Sequence, residues 1–468
     1  MVYTPIKALI TGTGKNKPIS IQPLKQSELA AWLKKATAWE KNWVKDNGFK
    51  ATSDQILTVP AKDGHRGLVL WAIADDGLPT DPWSYAKLAG KLPDGSYSLP
   101  DNMGGKRALN AALGWSLSHY SFDKFKSAKA SSKPKLKQPN GLDKKKFNAL
   151  LNAIVLVRDL INTPTNHMSP SHLAADARKL AKEHKATIKV TTGNKLLEDN
   201  FPTIHAVGRA SVEAPRLIDM RWGKKTNPKV TLVGKGVCFD SGGLGIKPST
   251  GMRHMKKDMG GAAHVLGLAQ AIMSLDLPVC LRVLIPAVEN SISANAFRPG
   301  DVLTTRKGIT VEVGHTDAEG RLILCDALSL ADDEKPDMLL DFATLTGAAR
   351  VALGPDLPAM FTHNQNLAKD LLKAGEENYD HMWQLPLWDG YKEDLNSSVA
   401  DINNISEHGF AGATLGGLFL DRFVDNTKSW VHFDIFGWNP NEKPGRTKGG
   451  AAMALRAALA VIEQRFPC

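Results

Sequence analysis

Gly234-Lys235-Gly236-Val237-Cys238-Phe239-Asp240-Ser241-Gly242-Gly243, running on to Lys247 and then to Asp258-Met259-Gly260-Gly261, is the stretch on which the reading of this chain turns. It follows the short apolar run Val230–Val233. A second stretch, His315-Thr316-Asp317-Ala318-Glu319-Gly320-Arg321-Leu322, follows the run Ile309–Val313. Each sets acids and bases among glycines just past an apolar run of strand character. In open α/β sheets, sites gather outside strand ends. The surrounding chain keeps the same alternation: a helix over Met255–Leu275, a buried strand over Val279–Val288 and a hairpin over Val302–Val313 through Lys307-Gly308. A helix over Leu322–Ala331 and a strand over Met338–Phe342 follow. This order predicts an α/β fold with a mixed, partly parallel sheet flanked by helices.

Working back from that core, Leu150, Ile154, Val157 and Ile161 recur at helical spacing and predict a buried helix face. Asn162-Thr163-Pro164 ends it, because the residue before a proline disfavours helix. Ser171 is expected to cap a second helix reaching about Glu183, with β structure over Ala186–Thr191. Upstream, the composition turns to Lys, Ser, Pro and Gly, which reads as a basic linker over 124–146. The expected domains are therefore a small N-terminal α/β domain (1–123), the linker, and a large catalytic domain (147–468). In the first domain, Ala8–Ile10 and Gly67–Ile73 read as strands, and Ser27–Trp43 and Lys106–Leu117 as helices. It holds no catalytic constellation; Asp75, Asp76 and His65 read as surface residues.

A chain of 468 residues exceeds one compact core. At 43% hydrophobic and 23% charged residues it fits a soluble globular protein rather than a disordered one. No apolar run approaches the ~20 residues of a membrane span, and Met1-Val2-Tyr3-Thr4-Pro5 does not begin a secretory leader. Cys238, Cys280, Cys325 and Cys468 form no CxxC pair, which points to reduced thiols and a cytoplasmic protein. The net charge of +11 is partly local, in Lys124, Lys126, Lys129, Lys133, Lys135, Lys137, Lys144, Lys145 and Lys146. A solvated linker explains that run; nucleic-acid binding is the sharper alternative.

Asp317, Glu319 and Arg321 are spaced two apart and would share a side if extended. With Asp240 and Asp258 they make four carboxylates, which would repel one another unless cations neutralise them. Divalent metals on oxygen ligands are the economical answer. A pair ~3.5–4 Å apart can share one water, lower its pKa and polarise a carbonyl. Lys247 and Arg321 then leave the site favourable to anions. By spacing alone, Lys235 reads as a nearby cation rather than a ligand. There is no HExxH, GxSxG or GxxxxGK[ST] motif, and Ser241 has no identifiable histidine partner. Cys238 and Cys325 read as small buried residues, and His254 as a non-ligand.

At these residues the sequence resembles the leucyl aminopeptidase family, the M17 cytosol aminopeptidases. The family's GKG-x-x-x-DSGG-x-x-x-K run and DMGGAA helix start stand here as Gly234 to Ala263, and its NTDAEGRL octapeptide as His315 to Leu322 with one change. The resemblance runs from about Arg158 to Asp434, and residues before the linker show no match. It implies a metal-dependent aminopeptidase acting on peptides with a free N-terminus. Lys235, Asp240, Asp258, Asp317 and Glu319 would be the metal ligands, Lys235 as a neutral amine. Lys247 would stabilise the oxyanion formed when a metal-bridging hydroxide attacks, and Arg321 would hold a bicarbonate base. Met255, Thr344 and Gly347 would line the pocket for the first side chain. The implied cofactors are two divalent ions (zinc, manganese or magnesium in this family) with bicarbonate; the implied assembly is a homohexamer. His315 departs from the family's Asn and is expected to reshape the pocket; Cys325 stands where alanine is usual. A two-metal phosphoesterase and a DNA-binding oligomer keeping the peptidase fold are the alternatives.

Overall fold

The computed structural model describes residues 6–10, 17–127 and 133–467. Lys129, the first five residues and Cys468 lie outside them. The described residues divide into two compact units, 6–151 with 442–447, and 152–441 with 448–467.

In the first unit, β1 (Leu9–Ile10), β2 (Ile19–Lys25), β3 (Ile56–Pro60), β4 (Arg66–Ile73), β5 (Ser96–Ser98) and β6 (Lys135–Lys137) form one sheet in the order β1-β6-β5-β2-β4-β3. The strand β6 corrects the linker expectation. Leu136 is fully buried between lysines that turn outward, and Trp115 donates to the Pro134 carbonyl at 2.8 Å. A lysine-rich composition thus conceals a strand whose inward side is a single leucine. The unit boundary falls inside the helix Lys144–Asn162 rather than in the linker. The helix expected over Ser27–Trp43 is two, Leu29–Lys35 and Ala38–Asp46. Thr37 divides them through a capping box: its side chain accepts from Glu40 N, and Glu40 Oε2 accepts from Thr37 N at 2.7 Å.

The second unit is built on nine strands. They are β7 (Thr187–Thr192), β8 (Arg216–Trp222), β9 (Lys229–Gly234), β10 (Gly236–Asp240), β11 (Cys280–Asn290), β14 (Met338–Ala343), β15 (Ala359–Phe361), β16 (Trp383–Gln384) and β18 (Trp430–Asp434). A smaller sheet joins β12 (Val302–Thr304), β13 (Thr310–Glu312) and β17 (Ile402–Asn403). The large sheet runs β16-β15-β18-β14-β9-β11-β8-β7, with β10 paired to β11. Its centre, β11-β9-β14-β18, is parallel, while β8 and β15 join antiparallel. This is the mixed α/β architecture the alternation predicts. The central strands carry apolar side chains on both faces because helices such as Gly260–Leu275 and Glu319–Asp332 cover them. Their carboxyl ends are level: Phe342 pairs with Gly234, and Ala343 with Asp434. The second N-terminal cap is Ser169, not Ser171, because Pro170 takes the first helical position of Pro170–Glu183.

Candidate metal centre

The site lies at those level carboxyl ends. Lys235 follows β9, Asp240 ends β10, Asn290 ends β11, Thr344 follows β14 and Asp434 ends β18. Asp240 and Asn290 are register partners. Asp258 sits in a 3-10 turn, Met255–Met259, that precedes the helix Gly260–Leu275; the sequence expectation had one helix throughout. Glu319 opens the helix Glu319–Asp332, so Glu319 and Arg321 are helical and the extended reading of Asp317-x-Glu319-x-Arg321 does not hold. The turn through Thr316 brings the acids together nonetheless.

Asp240, Asp317 and Glu319 each offer a carboxylate oxygen, and these oxygens lie within 4.8 Å of one another. Asp258 joins them through Lys235, whose Nζ is 2.8 Å from Asp258 Oδ2 and 3.0 Å from Glu319 Oε1. Lys247 Nζ is 2.8 Å from Asp240 Oδ2 and also touches Asp317 Oδ1. Asp258 Oδ2, Asp317 Oδ1 and Glu319 Oε1 are buried and meet no partner other than these ammonium groups. Glycines make the crowding possible: a Cβ on Gly320 would lie 2.5 Å from Lys235 Cε.

The electrostatics follow from burial. Desolvation, with Asp258 adding to it, raises the Asp240 carboxyl to about 6 against the pull of Lys247 and Lys235. Desolvation and Asp240 also raise Glu319. Asp258 goes the other way: burial opposes its charge, but Lys235 and Lys257 outweigh burial and lower it. Burial opposes the charge on Lys235 too, yet Asp258, Glu319 and Asp240 hold that amine above the ordinary lysine range. The lysine ammonium thus fills the place of a cation among carboxylates.

Arg321 is buried, and desolvation lowers its guanidinium to about 10 against Asp434 and Glu319. Its Nη1 donates to the Asn404 carbonyl at 2.6 Å, and its Nε has no hydrogen-bond partner. Thr344 Oγ1 donates to Asp258 Oδ1 at 2.7 Å, so this expected pocket residue also steadies a ligand. Met255 is half-buried at the start of the 3-10 turn, and Gly347 is exposed at the start of the helix Gly347–Leu353. His315 is exposed, and its Nδ1 accepts from Asp317 N at 3.0 Å. His254 is exposed beside Trp438, outside the carboxylate cluster. Cys238 and Cys325 are buried, as expected of small packing residues. Ser241 Oγ donates to the Asn290 carbonyl at 2.7 Å.

Sequence reasoning missed Asn290, Asn404 and Lys257. Asn290 Nδ2 reaches Asp240 Oδ1 at 2.9 Å and the Thr316 carbonyl at 3.0 Å, linking the two acidic stretches. Asn404 accepts from Gly314 N at 2.8 Å and donates to the His315 carbonyl at 2.9 Å, fixing the second stretch. Lys257 is buried beside Asp258; desolvation lowers it, against Asp258. The one signal for Asn290 is a polar residue closing a long apolar run.

Carboxylates gathered at the ends of parallel strands are a donor set that suits divalent metals. Residues 155–459 match the model of the cytosol aminopeptidase family catalytic domain, and residues 19–139 that of the M17 aminopeptidase N-terminal domain. The chain belongs to the M17 cytosol aminopeptidase family and is an aminopeptidase, a metallo-exopeptidase by class. A probable cytosol aminopeptidase of Geobacter sp. (strain M21) is 38% identical over 396 residues, 81% of this chain and 79% of that protein. The crystal structure of a cytosol aminopeptidase from Coxiella burnetii superposes with a TM-score of 0.92 at 45% identity, covering 98% of this chain and 99% of that one. The bottromycin maturation enzyme BotP in complex with Mn superposes at 0.86 with 30% identity, covering 96% of this chain and 99% of its own. The N-terminal match corrects the expectation that residues before the linker resemble nothing in the family. Among the described residues, no helix is long and apolar enough to cross a membrane.

Proposed function

We propose that this aminopeptidase removes the N-terminal residue from peptides with a free α-amino group, using two divalent ions held by Lys235, Asp240, Asp258, Asp317 and Glu319. The carrying observation is the set of buried carboxylate oxygens, Asp258 Oδ2, Asp317 Oδ1 and Glu319 Oε1, that meet no partner but the Lys235 and Lys247 ammonium groups. Such oxygens are costly unless a cation meets them. Four carboxylates and one amine, Lys235 giving up its proton when the ion binds, suit zinc, manganese or magnesium. When bound, the ions supply Lewis acidity and activate water.

The chain's own residues do the rest. Lys247 reaches into the cluster with its side chain 16% exposed. Burial opposes its charge, but Asp240 and Asp317 keep it protonated, so it meets the negative charge that grows on the scissile carbonyl oxygen. Asn290 and Thr344 hold Asp240 and Asp258 in place. Arg321 Nε, buried without a partner, fits a small oxyanion such as bicarbonate, whose chemistry there is that of a general base. Met255, His315, Thr344 and Gly347 border the space for the first side chain. Hexameric assembly and a cytoplasmic location belong to the same proposal.

The test is release of free amino acid from dipeptides and from their N-acetylated forms, with manganese or zinc and then with chelator. Cleavage that needs both the metal and the free amine is expected. Equal cleavage of acetylated peptides, or turnover of a phosphate ester alone, overturns the reading.

A further inference from the structure

Three segments converge beside the metal centre. The first is the turn Met255–Met259, with Lys257 next to Asp258. The second runs from Thr344 into the helix Gly347–Leu353, where Arg350 lies one turn beyond Gly347. The third leaves β18 through Phe436 and Gly437. They are packed together: a Cβ on Gly437 would meet Thr344 Cγ2 at 3.5 Å, and Thr344 bonds to Asp258.

Where they meet, two cations lie against one aromatic ring. Lys257 Nζ is 5.0 Å from the Phe436 ring centroid, and the Arg350 guanidinium carbon is 5.1 Å from it. Lys257 is only 7% exposed. Among the described residues, neither side chain has an ion pair or a hydrogen bond. The neighbouring lysine behaves differently: Lys256 Nζ donates to the Asn162 carbonyl at 2.6 Å. The nearby acids are already engaged. Asp258 is held by Lys235 and Thr344, and Asp434 accepts from Leu345 N, Thr346 N and Thr346 Oγ1. A buried cation against a ring, which feels Asp258 and Asp434 through space but is bonded to neither, is left to meet an arriving anion.

We infer that Lys257 and Arg350, both against Phe436, form the wall of the pocket for the substrate's first side chain and select an acidic one, aspartate or glutamate. This rests on the aminopeptidase reading and on the placement of Met255, Thr344 and Gly347 along that pocket. The selection is made by charge rather than by shape, because glutamine is isosteric with glutamate and would lose only the attraction.

The experiment compares kcat/KM for dipeptides beginning with Glu, Gln, Asp, Asn and Leu, on the manganese-loaded full chain and on Arg350→Gln and Lys257→Gln. The native protein should favour Glu over Gln by about tenfold. Each variant should reduce that ratio to within about threefold of unity, with the Glu peptide losing about threefold or more relative to the Leu peptide. Glu no faster than Gln in the native protein, or a ratio that survives both substitutions, overturns the inference while leaving the aminopeptidase reading intact. If Lys257→Gln also loses the Leu peptide, the Arg350→Gln ratio alone decides. If no peptide of the panel is cleaved, the reading beneath the inference fails and takes it down.

Discussion

Asn290 donates through Nδ2 to Asp240 Oδ1 at 2.9 Å, and the same nitrogen reaches the Thr316 carbonyl at 3.0 Å. One amide therefore holds a proposed metal ligand and the turn that carries two others. Asn290→Ala should lower metal affinity by about 10–100-fold, the usual cost of losing a group that orients a ligand. Calorimetric titration with manganese measures it, and an unchanged affinity would mean that Asp240 needs no such support.

Lys247 and Asp240 touch each other but are assigned different tasks. Lys247→Ala should keep two metals per chain while kcat falls by about 10²–10³, the scale for losing one oxyanion-stabilising group. Asp240→Asn should lose metal instead. Elemental analysis beside turnover separates the two; metal lost from the lysine variant would show that its role is misassigned.

His315 Nδ1 accepts from Asp317 N, a contact across two residues that an Asn side chain also makes in an Asx turn. His315→Asn should therefore leave the melting temperature within a few degrees, with a stability change of about 0.5 kcal/mol or less. The ranking of kcat/KM among N-terminal residues should change, because imidazole is larger than a carboxamide. An unchanged ranking removes His315 from the pocket.

His264 supplies a pH dependence that does not involve the metal centre. It is fully buried, its Nδ1 lies 2.6 Å from the Gly260 carbonyl, and its Nε2 accepts from Met453 N at 2.9 Å. Both contacts suit the neutral ring, and desolvation lowers its pKa to about 4. Between pH 4 and 6.5 the unfolded chain binds a proton that the folded chain refuses, so stability rises with pH across that window. The full contribution is present above about 6.5, and as the pH falls towards 4 its loss is on the order of 3 kcal/mol. Urea unfolding of metal-free protein at stepped pH should show this slope, flattened in His264→Gln. Equal slopes in the two proteins would place the acid sensitivity elsewhere.

The two acidic stretches were legible because Gly234–Gly243 and His315–Leu322 each stand just past an apolar run, so strand and site announce each other. Runs such as Val230–Val233 and Met338–Phe342 read as buried strands because both faces are apolar. What spacing could not show was where backbone direction changes. Asp317, Glu319 and Arg321 look extended by period, but Ala318 is the cap of a helix that starts at Glu319. Asp258 sits in a 3-10 turn because its carbonyl and carboxylate both receive the Thr344 hydroxyl, a partner 86 residues away. Separation in sequence also hides Asn290, whose partners Asp240 and Thr316 lie 50 and 26 residues away, and Asn404, 90 residues from Gly314; both are neutral residues that act only through contacts the fold creates. Strand β6 escaped notice because it turns only Leu136 inward, too little to register against its lysines.

The Lys235 side chain passes so close to Gly320 that a single added methyl there would lie 2.5 Å from its Cε and 2.7 Å from its Nζ. The amine reaches Asp258 and Glu319 through a gap that exists because one carbon is missing. The site is thus vulnerable to gain as well as to loss. An alanine at Gly320, which adds no charge and removes no donor, would deflect the lysine and uncouple the two acidic stretches, silencing the centre while every residue that performs its chemistry is still present.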